Sequence, residues 1–185
     1  MTGAVVQPLL AWYDAGHRDL PWRRTRDPYR IWLSEIMLQQ TRVEAVIPYY
    51  ERFLAACPDV RALAEVSEEV YLKLWEGLGY YSRVRNLHRA AQIVCEAYGG
   101  QMPADYAALR GLPGIGDYTA GAVASIAFGI PEPAVDGNVL RVIARLTGDE
   151  RAIDDAKVKR DMRAQAAAVI PADRPGTFNQ AMMEL

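Results

Sequence analysis

Three places in the 185-residue sequence combine residue types and spacing that could do chemistry. The first is Glu35. On a helix running from Pro28 to Gln39, its neighbours three and four positions away are Ile31, Trp32, Leu38 and Gln39. A carboxyl among such mostly apolar groups is partly desolvated, which favours its protonated form, and it could then act as a general acid near neutral pH. The competing reading is a glutamate at the helix rim that reaches solvent. The second place is Asp136, which follows Pro133-Ala134-Val135 and precedes Gly137 and a helical pattern. Aspartate is a preferred N-cap, so a purely structural reading is open. The two readings are compatible, because a capping carboxylate is held rigid and ionised, and a fixed negative charge suits a cationic, oxocarbenium-like transition state. The third is Leu112-Pro113-Gly114-Ile115-Gly116, a turn between two helical segments. Its glycines, Gly114 and Gly116, permit positive φ and close backbone approach, and the next helix offers free N–H groups and a positive dipole end. That combination can hold one phosphate, although a tight turn alone would look the same.

Two further segments carry amide and aromatic groups in turns: Gln39-Gln40-Thr41, and Gly77-Leu78-Gly79-Tyr80-Tyr81. Side chains of this kind can wedge into a base stack when a nucleotide is extruded. Tyrosines at such places are also commonly part of a core.

The elements that must position these groups read as helices throughout, with no alternation long enough for a strand. Helices are expected over 5–15, 28–39 and from Thr41, whose spacing to Glu44 is that of a capping box, with a kink at Pro48. Others are expected from Ser67 to the glycines at 77 and 79, over 82–98, near 105–109, and over 117–128, 137–146 and 155–169. A last helix begins near Thr177 and still runs at Leu185 with no stop signal, as if the chain were cut inside an element. With 51% apolar residues the chain can bury a sizeable core. It has no transmembrane run and no signal peptide, so the cytoplasm, in association with the nucleoid, is the expected location. Cys57 and Cys95 have no metal or disulfide spacing and read as small buried helix residues, while His17 and His88 suggest no metal site. The net charge of −2 argues weakly against nucleic acid, but of the 21 basic residues only Lys73, Lys157 and Lys159 are Lys. Arginines cluster at 18, 23, 24, 26 and 30, and again at 83, 85 and 89, where guanidinium forks could meet phosphates or simply face solvent.

Six strings in order resemble adenine DNA glycosylases of the MutY family, within the helix-hairpin-helix superfamily. They are Leu20-Pro21-Trp22-Arg23, Ser34 to Thr41, Trp75 to Arg83, Leu112 to Thr119, Ala134 to Val139 and Phe178 to Met183. The resemblance implies an all-α, two-lobed helix-hairpin-helix glycosylase fold with a DNA cleft between the lobes. Residues 1–24 with 130–185 would form one lobe, and 25–129, carrying the hairpin 112–116, the other. It implies a monofunctional enzyme of base-excision repair that hydrolyses the glycosidic bond of adenine mispaired with 8-oxoguanine or guanine, acting as a monomer on double-stranded DNA and not at a membrane. Glu35 would protonate the adenine ring and Asp136 stabilise the sugar cation, supported by Tyr118 and Asn138. Trp22, Arg23 and Gln180 would line the adenine pocket, and Gln40, Thr41, Leu78 and Tyr80 would meet DNA near the opposite base. The family also holds a [4Fe–4S] cluster and a C-terminal domain; the four cluster cysteines are expected in a longer parent, not in this chain. The alternatives are an endonuclease III-like glycosylase with lyase activity, which needs a lysine where Tyr118 stands, and a helix-hairpin-helix fragment that only grips DNA.

Overall fold

The computed structural model describes residues 3–185; Met1 and Thr2, the start of the first expected lobe segment, lie outside the described residues. Among the described residues the regular elements are all helical, as the all-α reading expects. The α-helices are α1 (Val6–Gly16), α2 (Pro28–Leu38), α3 (Val43–Ala56), α4 (Val60–Glu65), α5 (Glu68–Trp75) and α6 (Ser82–Tyr98). They continue with α7 (Tyr106–Arg110), α8 (Asp117–Phe128), α9 (Gly137–Thr147), α10 (Ala156–Ala167) and α11 (Pro175–Glu184). None of the helices is long and apolar enough to cross a membrane.

Starts and stops follow from side chains that satisfy otherwise orphaned backbone groups. Asp27, Asp59, Asp105, Asp136 and Asp155 each accept N–H groups at the start of a helix. Asp59 explains α4, a two-turn helix that the sequence reading does not anticipate: its carboxylate takes the Ala62 N–H at 2.9 Å. The capping box at Thr41 and Glu44 does not form. The helix starts at Val43 with Arg42 in the cap position and no side-chain cap bond, while Thr41 Oγ1 donates back to Gln39 O at 3.3 Å. The backbone turns left-handed at Gln40 (φ 59°), so Thr41 belongs to a tight turn and not to a helix start.

The chain packs as two compact units. One runs from Asp19 to Thr119, and the other joins the chain up to Arg18 with Ala120–Leu185. In the first, α2 packs against α3 and α6, α4 against α6, and α5 against α3 and α6. Apolar residues on α6 at Val84, Leu87, Ala90, Ala91 and Val94 recur at helical spacing and are all buried. Trp75 and Phe53 meet edge-to-face at 6.1 Å in the same core. In the second unit α1 packs on α11, and α9 on α10 and α11. Its core joins Val6 and Leu10 of α1, Leu140 and Ile143 of α9, Val158 and Met162 of α10, and Phe178 and Met182 of α11. Cys57 is buried just past the end of α3, whereas Cys95 on α6 is only half-buried, a departure from the reading of both as buried helix residues. The Cys95 thiol donates to the Val60 carbonyl at 3.9 Å.

Burial gives the first unit an alkaline weakness. Tyr29 donates its hydroxyl to Cys57 O at 2.7 Å, and burial lifts its phenol far above the ordinary range. Burial also pushes the Tyr50 phenol up to about 12. A phenol with a raised folded pKa contributes fully below its unfolded value of 10.0, and that contribution is lost as pH climbs towards the folded value. Urea unfolding followed by circular dichroism is therefore expected to show stability falling between about pH 10 and 12, and Tyr50→Phe to make the fall shallower. An unchanged slope in the variant would contradict this assignment.

Candidate active site

Glu35 sits in the middle of α2, whose start is set by Pro28 in the first turn and by Asp27, which accepts from Tyr29 N at 2.9 Å and Arg30 N at 3.1 Å. Every residue from Ile31 to Met37 is buried, so α2 is covered on all sides over two turns. Within that stretch Glu35 is 6% exposed, Trp32 and Met37 0% and Ile31 2%. The rim reading, with the carboxylate reaching solvent, does not apply. Removal of water from around a carboxyl penalises its charged form.

Asp136 lies in the other unit and is half-buried at the start of α9. One carboxylate oxygen accepts from Val139 N at 2.8 Å and the other from Asn138 Nδ2 at 3.3 Å. Arg141 Nη2 donates in turn to Asn138 Oδ1, which fixes which face of the amide meets Asp136. Asp136 is thus both a helix cap and a carboxylate of fixed orientation.

The segment that delivers Asp136 is tied down by a buried amide the sequence reading assigns no role. Asn179 of α11 is 2% exposed. Its oxygen accepts from Ala134 N at 3.1 Å, and its nitrogen donates to Glu132 O at 2.8 Å and Ser125 Oγ at 2.7 Å. Arg163 adds a bond to Pro133 O at 2.7 Å and an ion pair with Glu132 at 3.0 Å. Gly121 on α8 lets this segment lie close, since a Cβ there would stand 2.5 Å from Pro133 O. The prior signals are its place in the Phe178 to Met183 string and a polar side chain inside the apolar pattern of α11.

The hairpin turn belongs to the Asp19–Thr119 unit. Ile115 N donates to Leu112 O at 3.1 Å, closing the turn, and Gly114 adopts φ 76°. A Cβ at Gly114 would stand 2.8 Å from Asn86 Cβ, so a side chain is excluded by space as well as by φ. Gly116 has nothing within 4 Å of a built Cβ, which leaves its backbone open to a ligand just before α8 begins at Asp117. Tyr118, in the first turn of α8, is half-buried. Beside the hairpin a cavity of about 210 Å³ is lined by Trp32, Gln39, Arg83, Asn86 and Gly114 among others.

Trp22 is 7% exposed and meets Tyr50 edge-to-face at 5.4 Å, with Arg23 half-buried beside it. Gln180 lies in the other unit, where Tyr13 donates to its oxygen at 3.4 Å. Gln40 and Tyr80 are exposed, Thr41 is half-buried and Leu78 is 7% exposed. The arginine clusters are partly engaged within the chain. Arg24 pairs with Asp19 at 2.5 Å and Arg85 with Glu68 at 3.1 Å, while Arg83 is occupied by backbone carbonyls. Cys57 and Cys95 are both free, and no group of three or more His, Cys, Asp or Glu among the described residues could hold a metal. With Cys57 and Cys95 its two cysteines, the chain does not fit a four-cysteine cluster.

A family model described as "HhH-GPD superfamily base excision DNA repair protein" matches residues 33–167, and the chain belongs to this family. It is similar to the adenine DNA glycosylase of Homo sapiens, with 46% identity over 96% of the chain and 34% of that relative. Against the adenine DNA glycosylase of Buchnera aphidicola from Acyrthosiphon pisum the identity is 38% over 97% of the chain and 51% of the relative. The chain therefore spans only about a third to a half of the curated relatives it matches. Among solved structures, one described as a thermostable thymine-DNA glycosylase superposes with a TM-score of 0.88 at 30% identity, covering 97% of this chain and 83% of that one. An endonuclease III–DNA covalent intermediate superposes with a TM-score of 0.80 at 24% identity, covering 99% and 85%, which speaks for the fold.

Asn179→Ala is expected to leave the Ala134 N–H and the Glu132 carbonyl unpaired and to cost about 3 kcal/mol of stability. Chemical denaturation of the variant would measure it, and a loss under about 1 kcal/mol would mean the segment before Asp136 is held by other contacts.

Proposed function

We propose that this chain is the catalytic portion of a monofunctional adenine DNA glycosylase, which binds double-stranded DNA and hydrolyses the glycosidic bond of adenine mispaired with 8-oxoguanine or guanine. The observation that carries the reading is Glu35: a carboxyl 6% exposed, inside a helix buried on every side, in a chain of a base-excision repair family. The similarity to adenine glycosylases at 38–46% identity supports adenine as the base.

In this reading Glu35 donates its proton to a ring nitrogen of the extruded adenine, making the base a better leaving group. The bond between base and sugar breaks with its electron pair leaving on the adenine. The positive charge that develops on the sugar is stabilised by the Asp136 carboxylate, whose orientation is set by Val139 N and Asn138. Water adds to the sugar and releases a proton, which restores Glu35. Tyr118 and Asn138 support the two carboxyl groups, and Trp22, Arg23 and Gln180 surround the base. The N–H groups at Gly114, Gly116 and the start of α8 hold a phosphate. Gln40, Thr41, Leu78 and Tyr80 face the opposite base.

Strand cleavage through an amine does not belong to this reading. Lys73 is an exposed partner of Glu76 at 2.5 Å, and Lys157 and Lys159 are exposed on α10, so the lysines lie away from the hairpin and from α2 in the sequence. Borohydride treatment during turnover is expected to trap no covalent DNA adduct.

Glu35→Gln keeps the shape of the side chain and removes the transferable proton. Single-turnover release of adenine opposite 8-oxoguanine is expected to fall by roughly 100-fold or more, while binding to the same duplex changes little. Asp136→Asn is expected to retain the α9 cap and lose most of the release rate. Equal release by wild type and Glu35→Gln would overturn the proposed chemistry.

A further inference from the structure

Arg83, at the start of α6, donates to five backbone carbonyls. Its Nη1 reaches Ile36 O at 3.0 Å, Met37 O at 3.1 Å and Gln39 O at 2.5 Å. Those are acceptors at the end of α2 and in the turn that follows it, where intrahelical donors have run out. Its Nη2 reaches Leu78 O at 2.9 Å and Gly79 O at 3.2 Å, in the loop between α5 and α6. One planar group therefore joins two segments about 40 positions apart in the chain. The cation also lies 5.3 Å from the centre of the Trp75 ring and 5.7 Å from that of Tyr80. Trp75 Nε1 donates to the same Gly79 carbonyl at 3.1 Å.

The two segments share a second feature. Among the described residues the only non-glycine residues with positive φ are Gln40 at 59° and Tyr80 at 47°. Each stands beside an Arg83 acceptor, after Gln39 and after Gly79. Left-handed backbone is unfavourable for side chains such as these, and it persists only where the surroundings enforce it. Tyr80 is also 64% exposed, an unusual placement for a large aromatic that does not pack in a core. The bond network thus holds two strained turns that present an amide and an aromatic ring to solvent.

We propose that Arg83 is a positioning residue that locks the turns 39–41 and 77–81 into one rigid probe, so that Gln40 and Tyr80 meet a duplex together, and that this coupling sets how well a mispair is told from paired DNA. The inference builds on the glycosylase reading above for the identity of the duplex, but the coupling itself is a property of the free protein. The Arg83 side chain is spent on carbonyls, so it is not one of the groups that grip phosphate.

Lysine in its place keeps the charge but offers a single point of donation, which can reach one set of carbonyls and not both. In Arg83→Lys, hydrogen exchange of the free chain is expected to rise about tenfold in both 39–42 and 78–81, with the hairpin 112–116 unchanged. In binding titrations with a duplex carrying adenine opposite 8-oxoguanine and with its fully paired counterpart, the preference for the mispair is expected to drop about tenfold. Affinity for the paired duplex, which phosphate contacts dominate, should hold. Exchange that rises in one segment only, or in neither, overturns the coupling. A mispair preference equal to wild type overturns the role in discrimination, and so does a collapse of helical circular dichroism in Arg83→Lys, which would make the residue a scaffold element. If the wild-type chain itself shows no preference for the mispair, the glycosylase reading and the discrimination role built on it fail together, and the exchange result still decides the coupling.

Discussion

Burying an ionisable group inside a helix is the constraint on which this structure turns. A carboxyl taken out of water is costly, and the packing of α2 on all sides rather than on one is what takes Glu35 out of water. Seven consecutive buried residues around Glu35 require neighbours on every face, and α3 and α6 supply two of them. The core of the Asp19–Thr119 unit also holds the large aromatic side chains Trp32, Phe53 and Trp75.

A second constraint arises where helices end close to one another. Their terminal N–H and C=O groups have no intrahelical partners, and at the irregular segments of this chain side chains provide them. Asn179 serves the extended stretch before α9, and Arg83 serves the end of α2 and the loop before α6. Aspartates serve the helix starts. Each of these side chains is consumed by backbone, and beside Arg83 the residues Gln40 and Tyr80 are left exposed. Rigid support behind exposed groups is what a recognition surface needs, because a loose side chain loses entropy when it binds.

The chain belongs to the base-excision repair family, and each of its two units holds its groups by its own bonds. The hairpin combines a glycine with positive φ, a steric limit set by Asn86 and an open backbone at Gly116. Its neighbour α2 carries the internal carboxyl. The other unit places Asp136 by an independent set of bonds, from Gly121 and Ser125 on α8 to Asn179 on α11 and Arg163 on α10.

Much of this was legible in the sequence. The helical period, the aspartate and proline starts and the glycine stops are local signals, and α6 and α8 fall where those signals put them. The hairpin string and the order of the six motifs are local as well. What the sequence could not decide was anything that depends on neighbours distant along the chain. Whether Glu35 is buried or at a rim depends on α3 and α6 covering α2, which periodicity does not report. Thr41 has the spacing of a cap, yet the strained turn at Gln40, bonded to Arg83 from over 40 positions away, draws it into a different role. Arg83 itself reads as one basic residue in a run of three, and only the folded chain brings five carbonyls around it. Local propensity names the elements; the satisfaction of buried polar groups, which acts through space, decides which side chains remain to do chemistry.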